Sequence, residues 1–595
     1  MSYKAPVKDL LFNIEHLARI DEIAQIPGFE DAGLETAQAV LEECARFNEE
    51  VVAPLNYEAD KAPSSHAGTE VTTSAGFKQA YQQYTEGGWQ GLQHPADFGG
   101  QGLPKTIGAA CGEILNSANL SFALCPLLTD GAIEALLTAG GDELKATYLE
   151  KLISGEWTGT MNLTEPQAGS DLAMVRSRAE SQPDGSYKVF GTKIFITYGE
   201  HDMADNIVHL VLARVQGAPE GVKGISLFVV PKFMVNQDGS LGDRNDVYCV
   251  SIEHKMGIKA SPTAVLQYGD HGGAIGYLVG EENRGLEYMF IMMNAARYAV
   301  GVQGVAIAER AYQKAVQYAN ERVQSRPVDG SVRGPATIIH HPDVRRMLMT
   351  MRALTEGCRA MACTAAAAYD AAHHHPDAEV RQQNQAFYEF MVPLVKGYST
   401  EMSLQVTDLG VQVHGGMGFI EETGAAQYYR DAKILTIYEG TSAIQANDLV
   451  GRKTARDGGQ MARGIAAQIE ATERELKQGG ADAQAVAKRL AAGRQAFLDV
   501  VDFIVAQAKA DPNAAYAGSV PYMLLAGNLV AGWQLGRALL VAEQQLAQGQ
   551  DAAFMKAKIA TARFYADHIL TRIPGVRDAI VEGADSVTAM PLEAF

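Results

Sequence analysis

From about Leu34 to Leu152 apolar residues recur at helical spacing, as in Ala37, Val40, Leu41, Cys44 and Phe47, with loops such as His94 to Pro104 between segments. This period predicts a helical layer. Between about Met161 and Gly280 the pattern changes to short runs of β-branched and aromatic residues: Tyr187 to Thr197, Ile207 to Val215, Ile225 to Val230 and Val247 to Ile252. Asp184-Gly185, Gly217 and Asp238-Gly239 punctuate them, which predicts a compact β-domain of six or more strands. After Asn283-Arg284-Gly285 there is no proline until Pro327, and Leu286, Phe290, Met293 and Ala296 keep helical spacing. One long helix, or a kinked pair, is expected there. Helices should continue through Val344 to Tyr369 and Ala386 to Val413, separated by a solvated loop carrying His373, His374 and His375. Further helices are expected around Met461 to Gln478, Ala483 to Ala508, Pro521 to Ala547 and Phe554 to Thr571. The fold class is therefore multidomain α+β. An N-terminal helical domain (1–160) precedes a central β-barrel-like or sandwich domain (161–280), a helical bundle domain (281–455) and an additional C-terminal helical domain (456–595).

Composition narrows the partners. The chain of 595 residues is 47% hydrophobic and 20% charged, a globular balance. Its formal charge of -20 opposes nucleic acid and anionic lipid as general partners. Residues 456–595 hold 14 Lys+Arg against 15 Asp+Glu, so the tail has no basic surface excess. The 6 cysteines show no C-x-x-C spacing, which argues against a disulfide framework or a zinc site and suits a reducing cytoplasm. Met1 to Asp9 lacks a basic segment followed by an apolar core, so no export signal is readable. Val520 to Leu540 is interrupted by Asn528, Gln534 and Arg537, and a buried helix is expected rather than a membrane span.

Four segments carry candidate chemistry. Met161-Asn162-Leu163-Thr164-Glu165-Pro166-Gln167-Ala168-Gly169-Ser170-Asp171 combines a stiffening proline, a permissive glycine and the hydroxyls of Thr164 and Ser170. Lys193-Ile194-Phe195-Ile196-Thr197 sets Phe195 and Thr197 on one strand face, where a ring covers a flat ligand and a hydroxyl reaches its edge. Gln412-Val413-His414-Gly415-Gly416-Met417-Gly418-Phe419 permits close backbone approach to a nucleotide but does not fit G-x-G-x-x-G. In Arg430-Asp431-Ala432-Lys433-Ile434-Leu435-Thr436-Ile437-Tyr438-Glu439-Gly440-Thr441-Ser442, the pair Ser442 and Gln445 reads as a capping box, putting Glu439 just before a helix start. Each segment alone also fits an ordinary turn, core strand or helix cap.

In this order, the four segments resemble the acyl-CoA dehydrogenase family over roughly Leu34 to Lys453. The run Tyr3-Lys4-Ala5-Pro6 and the tail beyond Arg456 look more like a long bacterial subfamily that includes 3-methylmercaptopropionyl-CoA dehydrogenases. The resemblance implies FAD as cofactor, an acyl-CoA thioester as substrate and α,β-dehydrogenation to the trans-2-enoyl-CoA. Glu439 is similar to the family's catalytic base, with Gly440 beside the thioester. In the family the N–H of that glutamate and a ribityl hydroxyl bind the thioester oxygen, and the flavin takes the β-hydride. Met161, Leu163, Thr164, Phe195 and Thr197 match flavin-contacting positions. Arg322, Gln324, Gln412, Gly416 and Thr441 match the adenine and pyrophosphate end, partly from a neighbouring subunit, which implies a homodimer or tetramer. Ser170, Asn294 and Arg297 match positions near the thioester and pantetheine. Electron-transfer flavoprotein is the implied electron acceptor.

Departures are visible too. Glu321-Arg322-Val323-Gln324-Ser325-Arg326-Pro327 lacks the usual threonine and phenylalanine, Ala443 replaces a common polar residue, and Tyr198 stands where asparagine is frequent. The isovaleryl-type branch draws its base from the long helix, where this chain has Ala296, so Glu439 is the expected base. Two rivals share the fold. An acyl-CoA oxidase would form hydrogen peroxide in step with turnover, and a nucleic-acid-binding relative would need the basic tail this chain lacks.

Overall fold

The structure, a computed structural model, describes residues 3–595. Its N-terminal layer contains α1 (Val7–His16), α2 (Leu34–Phe47), α3 (Lys105–Ala118) and α4 (Leu120–Ala139). Asn119 starts α4 by accepting the Phe122 N–H at 3.1 Å. Apolar residues surround α4 and most of it is buried, so it acts as a central post rather than an amphipathic surface helix.

The eight strands of one sheet follow, apart from a small hairpin (Phe233–Val235 with Leu241–Arg244): β1 (Trp157–Asn162), β2 (Arg178–Ser181), β3 (Tyr187–Thr197), β4 (Asn206–Val215), β5 (Ser226–Pro231), β6 (Val247–Ile252), β7 (Thr263–Tyr268) and β8 (Ala274–Leu278). The sheet order is β6-β7-β3-β8-β5-β4-β1, and β2 pairs with both β3 and β4, so the sheet curls back on itself. β1 runs parallel to β4 with Met161 opposite Leu210. β4 is buried on both faces: Val208, Leu210 and Leu212 pack with Ile133 and Leu136 of α4, while Val211 and Ala213 join the interior of the curled sheet. That explains why Leu210 to Ala213 are apolar at every position rather than alternating.

The expected long helix is α6, counting an intervening α5 (Asp142–Ser154), and spans Gly285–Glu321 without a break. It is followed by α7 (Pro342–His374), α8 (Ala378–Pro393), a π-helical turn (Leu394–Tyr398), α9 (Ser399–Val413), α10 (Ala425–Lys433) and α11 (Ser442–Val450). α6 and the π turn approach closely because a Cβ at Gly301 would fall 2.4 Å from Val395 O. The histidine run departs from the expected loop. α7 continues through His373 and His374 because nothing breaks it before Pro376, and the His373 ring stacks on Tyr369 one turn earlier at 3.9 Å. The helix expected from Ala386 already starts at Ala378, capped by Asp377, which accepts the Glu379 N–H at 2.8 Å.

The C-terminal layer comprises α12 (Gln460–Leu476), α13 (Ala481–Ala510), α14 (Ser519–Ala547), α15 (Ala552–His568) and α16 (Ile573–Val581), with a short helix (Pro512–Ala517) between α13 and α14. It is knitted into the bundle. The Tyr398 hydroxyl donates to Asn528 Oδ1 at 2.7 Å, and that of Tyr565 donates to Asn528 O at 2.9 Å. Deeper in, the Arg359 guanidinium on α7 reaches Asp9 (2.8 Å), Glu113 (2.6 Å) and Glu309 (2.7 Å). Lys558 on α15 bridges Asp9 (2.7 Å) and Glu356 (2.9 Å). α4, α6 and α14 are long and apolar enough to cross a membrane, and 83%, 67% and 78% of their most apolar windows are buried inside this fold.

Candidate active site

The first two candidate segments meet as chain ends of the β-domain. Lys193 Nζ donates to Leu163 O at 2.9 Å and to Glu165 Oε1 at 2.8 Å, and the Ile194 N–H donates to Thr164 O at 2.9 Å. Glu165 also accepts from Ser177 Oγ (2.5 Å), Ser177 N–H (3.0 Å) and Arg176 N–H (2.7 Å). Burial would raise the Glu165 carboxyl, but the Lys193 ammonium and these donors outweigh it and hold the group down to about 2. The buried ion pair fixes the segment 161–171 against the end of β3. Neither Lys193 nor Glu165 stood out as a site residue in the sequence, because a charge inside a strand has no visible partner there.

Against this edge lies a cavity of about 1040 Å³. Met161, Leu163, Thr164, Ser170, Phe195 and Thr197 line it from the β-domain; Arg297 lines it from α6; Glu439, Gly440 and Thr441 line it from the loop before α11. Leu286, Phe290, Met293 and Arg297 form the α6 stripe facing this space. Asn294 does not belong to it. One residue on from Met293 turns about 100° around the helix, and Asn294 instead lines a second cavity of about 840 Å³ behind α6, with Lys105, Asp130 and Tyr369. Arg322, Gln324, Gln412 and Gly416 are also absent from the lining and lie exposed. Their two segments adjoin through the Tyr318 ring, stacked on His414 at 4.4 Å.

Backbone strain collects around the large cavity. Phe195, Ile258 and Glu439 hold φ of 59°, 44° and 55°, and all three line it. A left-handed non-glycine residue costs roughly 1–3 kcal/mol, so the surrounding structure must impose each one. At Phe195 the result is a residue 59% exposed that lines the cavity.

Glu439 is held by its neighbours in space. Lys396, in the π-helical turn, is fully buried and donates to Leu435 O and Gly440 O, both at 2.7 Å, so one ammonium ties down both sides of the glutamate. Gln445 Nε2 donates to Glu439 O at 3.3 Å and Gly440 O at 3.4 Å, and the Tyr438 hydroxyl donates to Gln303. Gly440, at φ 89°, leaves space a Cβ would fill at 2.6 Å from Gln445 Nε2. The helix start differs by one residue from the expected capping box. Thr441 is the cap, its Oγ1 accepting the Ile444 N–H at 3.3 Å, while Ser442 turns away to hydrogen-bond Glu401.

Burial raises the Glu439 carboxyl, with the Lys396 and Arg297 cations pulling the other way. Burial pushes the Lys396 ammonium down to about 7, against the attraction of Glu439. A half-buried carboxylate with a raised proton affinity, facing a cavity, has the character of a general base. Replacing Lys396 by Met removes a cation that favours ionised Glu439. The acid limb of the kcat/KM–pH profile is then expected to move to higher pH, whereas an unmoved limb in an enzyme with normal flavin content would mean that Lys396 only packs.

The donor set fits a flavin and a thioester. Hydroxyls at Thr164 and Thr197, the Gly169-Ser170 backbone and an exposed aromatic ring suit a planar heterocycle with polar edges. Arg297 Nε is buried and has no hydrogen-bond partner among the described residues, and it lies 3.7 Å from the position of a Cβ at Gly440. A donor so placed is left for a ligand.

Comparison with known proteins gives consistent findings. Residues 34–156, 160–270 and 283–453 match the N-terminal, middle and C-terminal domains of acyl-CoA dehydrogenases, and 465–591 match the family described as acetyl-CoA dehydrogenase C-terminal like. The chain is 57% identical over 592 residues, 100% of both proteins, to a 3-methylmercaptopropionyl-CoA dehydrogenase of Ruegeria pomeroyi. It is 35% identical over 620 residues, again 100% of both, to a broad-specificity linear acyl-CoA dehydrogenase, FadE5, of Mycobacterium tuberculosis. In fold it is similar to an acyl-CoA dehydrogenase of Bacillus anthracis complexed with FAD (TM-score 0.74, 23% identity, covering 96% of this chain and 94% of that one). It is likewise similar to Caenorhabditis elegans ACDH-11 in complex with C11-CoA (TM-score 0.77, 19% identity, 97% and 95%).

Proposed function

The chain belongs to the acyl-CoA dehydrogenase family, FAD-dependent oxidoreductases, and we propose that Glu439 is the base that removes the α-proton of its acyl-CoA thioester. The observation that carries this is the placement of Glu439, strained, half-buried and clamped by Lys396, in one cavity with Phe195, Thr164 and Thr197. Bound against Phe195 and the threonines, FAD supplies the hydride acceptor that no side chain provides. Glu439 receives the α-proton on a carboxylate oxygen, and Lys396 and Arg297 keep that oxygen ionised beforehand. The Glu439 N–H is assigned to the thioester oxygen, where charge develops as the proton leaves. Arg297 orients the thioester end of the substrate, and the apolar stripe of Leu286, Phe290 and Met293 excludes water from the acyl chain.

The acyl group is proposed to be 3-methylmercaptopropionyl or a short to medium straight chain, with electron-transfer flavoprotein as acceptor. Full-length similarity to the Ruegeria protein supports the first. The adaptable thioethers of Met161 and Met293, both lining the large cavity, suit a small flexible chain. Incubating the FAD-loaded protein with a panel of acyl-CoA esters and electron-transfer flavoprotein tests this. Loss of two hydrogens from 3-methylmercaptopropionyl-CoA, with the highest kcat/KM of the panel, is expected; hydrogen peroxide formed in step with turnover would instead assign an oxidase.

We place the boundaries of the four units at residues 160, 280 and 455, and the enzyme in the cytoplasm, a setting suited to its 6 free thiols. Arg322, Gln324, Gln412 and Gly416 are proposed to meet FAD bound to a second copy of the chain. Their surroundings include Phe419, Met417 and Val328, exposed to 87%, 50% and 83%, an apolar surface of the kind found at subunit contacts. Phe419→Asp is expected to lower the mass seen by light scattering to that of a monomer and to weaken FAD retention; unchanged mass would remove this face from the interface.

A further inference from the structure

We propose that the C-terminal layer completes the acyl-CoA site through Tyr516, which walls and hydrogen-bonds the pantetheine arm, while Arg452 of the helical bundle meets the CoA diphosphate at the cavity mouth. This rests on the reading of Glu439 as the base and extends it to the other end of the substrate.

The cavity does not stop at Glu439. It follows one face of α11 and of the π-helical turn after it (Gly451–Ala455), lined by Thr441, Ile444, Asp448 and Arg452 at helical spacing, with Tyr516 also in its wall. Thr441 to Arg452 spans 11 residues, roughly 16 Å at the rise of a helix, a channel matched to a long extended arm rather than to a short acyl chain. Tyr516 comes from the short helix Pro512–Ala517, which Asp511 caps by accepting the Ala514 N–H at 3.2 Å. Its hydroxyl sits so close to α11 that a Cβ at Gly451 would fall 2.6 Å from it. Residue 451 is helical and does not need glycine for its backbone, so the missing side chain makes room for Tyr516.

The electrostatics point the same way. A chain with formal charge -20 needs local cations to hold the phosphates of CoA. Of the other cations lining the cavity, Arg297 is buried, Arg430 is paired with Asp60 at 2.6 Å, Lys255 donates to Ser261 O at 2.8 Å and Lys433 to Thr436 Oγ1 at 3.4 Å. Arg452 lies at the outer end, its side chain 64% exposed and only loosely paired with Asp448 at 3.7 Å, so its planar donors are free to turn to a diphosphate. Tyr516 is the one residue of the tail in this lining, and it supplies a wall that residues 1–455 alone leave open.

The test uses the FAD-loaded full chain with 3-methylmercaptopropionyl-CoA and the pantetheine ester of the same acyl group, which lacks the diphosphate. Arg452→Ala is expected to raise KM for the CoA ester roughly tenfold and leave the pantetheine ester unaffected. Tyr516→Ala is expected to raise KM roughly tenfold for both esters, with kcat changed by less than about twofold. An unchanged visible flavin spectrum checks that each variant is folded, and Tyr516→Phe provides a variant that keeps the ring. Unchanged KM in Tyr516→Ala and Arg452→Ala, with the wild type active, would overturn this proposal alone. A wild type inactive on both esters would overturn the reading of the site as well.

Discussion

Glu439→Gln is expected to lower kcat by about 10^2 to 10^4-fold while leaving acyl-CoA affinity and flavin content close to wild type. The amide has the shape of the carboxylate and keeps its place in the clamp formed by Lys396 and Gln445, so the variant removes proton affinity and little else. Raising the pH should not restore the rate, because an amide gains no basicity over the accessible range. The wild type should gain activity as pH rises through the Glu439 pKa, which burial sets above the ordinary carboxylate value, since only the ionised form accepts the α-proton. Steady-state turnover with an electron acceptor, across pH, reads both effects. A Gln variant retaining most of its turnover would reduce Glu439 to a residue near a helix start, a role that Thr441 already fills.

Arg359→Met is expected to destabilise the protein by about 3–5 kcal/mol, because it leaves Asp9, Glu113 and Glu309 buried around a vacated charge. The cluster joins α1, α3, α6 and α7, and through Lys558 it reaches α15 of the C-terminal layer. The loss should therefore appear as an earlier urea midpoint and as faster hydrogen exchange along both α7 and α15. Arg563→Ala is the contrast. Its pairs with Asp482 and Asp567 are largely exposed, and no more than about 1 kcal/mol is expected. Acid sharpens the distinction. Burial would raise Asp9, but Lys558 and Arg359 outweigh it and hold the group down to about 2, so its contribution is complete above the ordinary value of 3.8 and is lost as pH falls toward about 2. Without Arg359 the acid transition should move to higher pH; an unmoved transition and midpoint would show that the cluster contributes nothing net.

The parts of this molecule that are legible in its sequence are those fixed by neighbours along the chain. Periodicity gives the strand Tyr187–Thr197 and the long helix Gly285–Glu321, because burial of a face repeats every two residues in one and every three or four in the other. Three of the four motifs point to Met161, Thr164, Phe195 and Glu439, which share one cavity, while the motif of Gln412 and Gly416 lies outside it. What the sequence hides depends on partners brought together by folding. Lys193 meets Glu165 across 28 residues, Lys396 meets Gly440 across 44 and Arg359 meets Glu113 across 246, and a lone charge in a string gives no sign that it is buried or with whom. Asn294 illustrates the opposite error. Its match to a family position near the thioester suggests a site shared with Arg297, yet helical rotation turns it to the far side of α6. The cap at Thr441 rather than Ser442 shows the usual uncertainty of a helix end, resolved by which hydroxyl reaches the free N–H.

A carboxylate and a hydride acceptor should flank the two carbons that become a double bond. Anaerobic single-turnover mixing of the FAD-loaded protein with unlabelled and α-deuterated acyl-CoA addresses it directly. One equivalent of flavin bleaching per site, slowed by the label, is expected in the wild type with enoyl-CoA as product, and no comparable bleaching in Glu439→Gln. Flavin that stays oxidised under saturating acyl-CoA, or bleaching in the Gln variant at the wild-type rate, would contradict it.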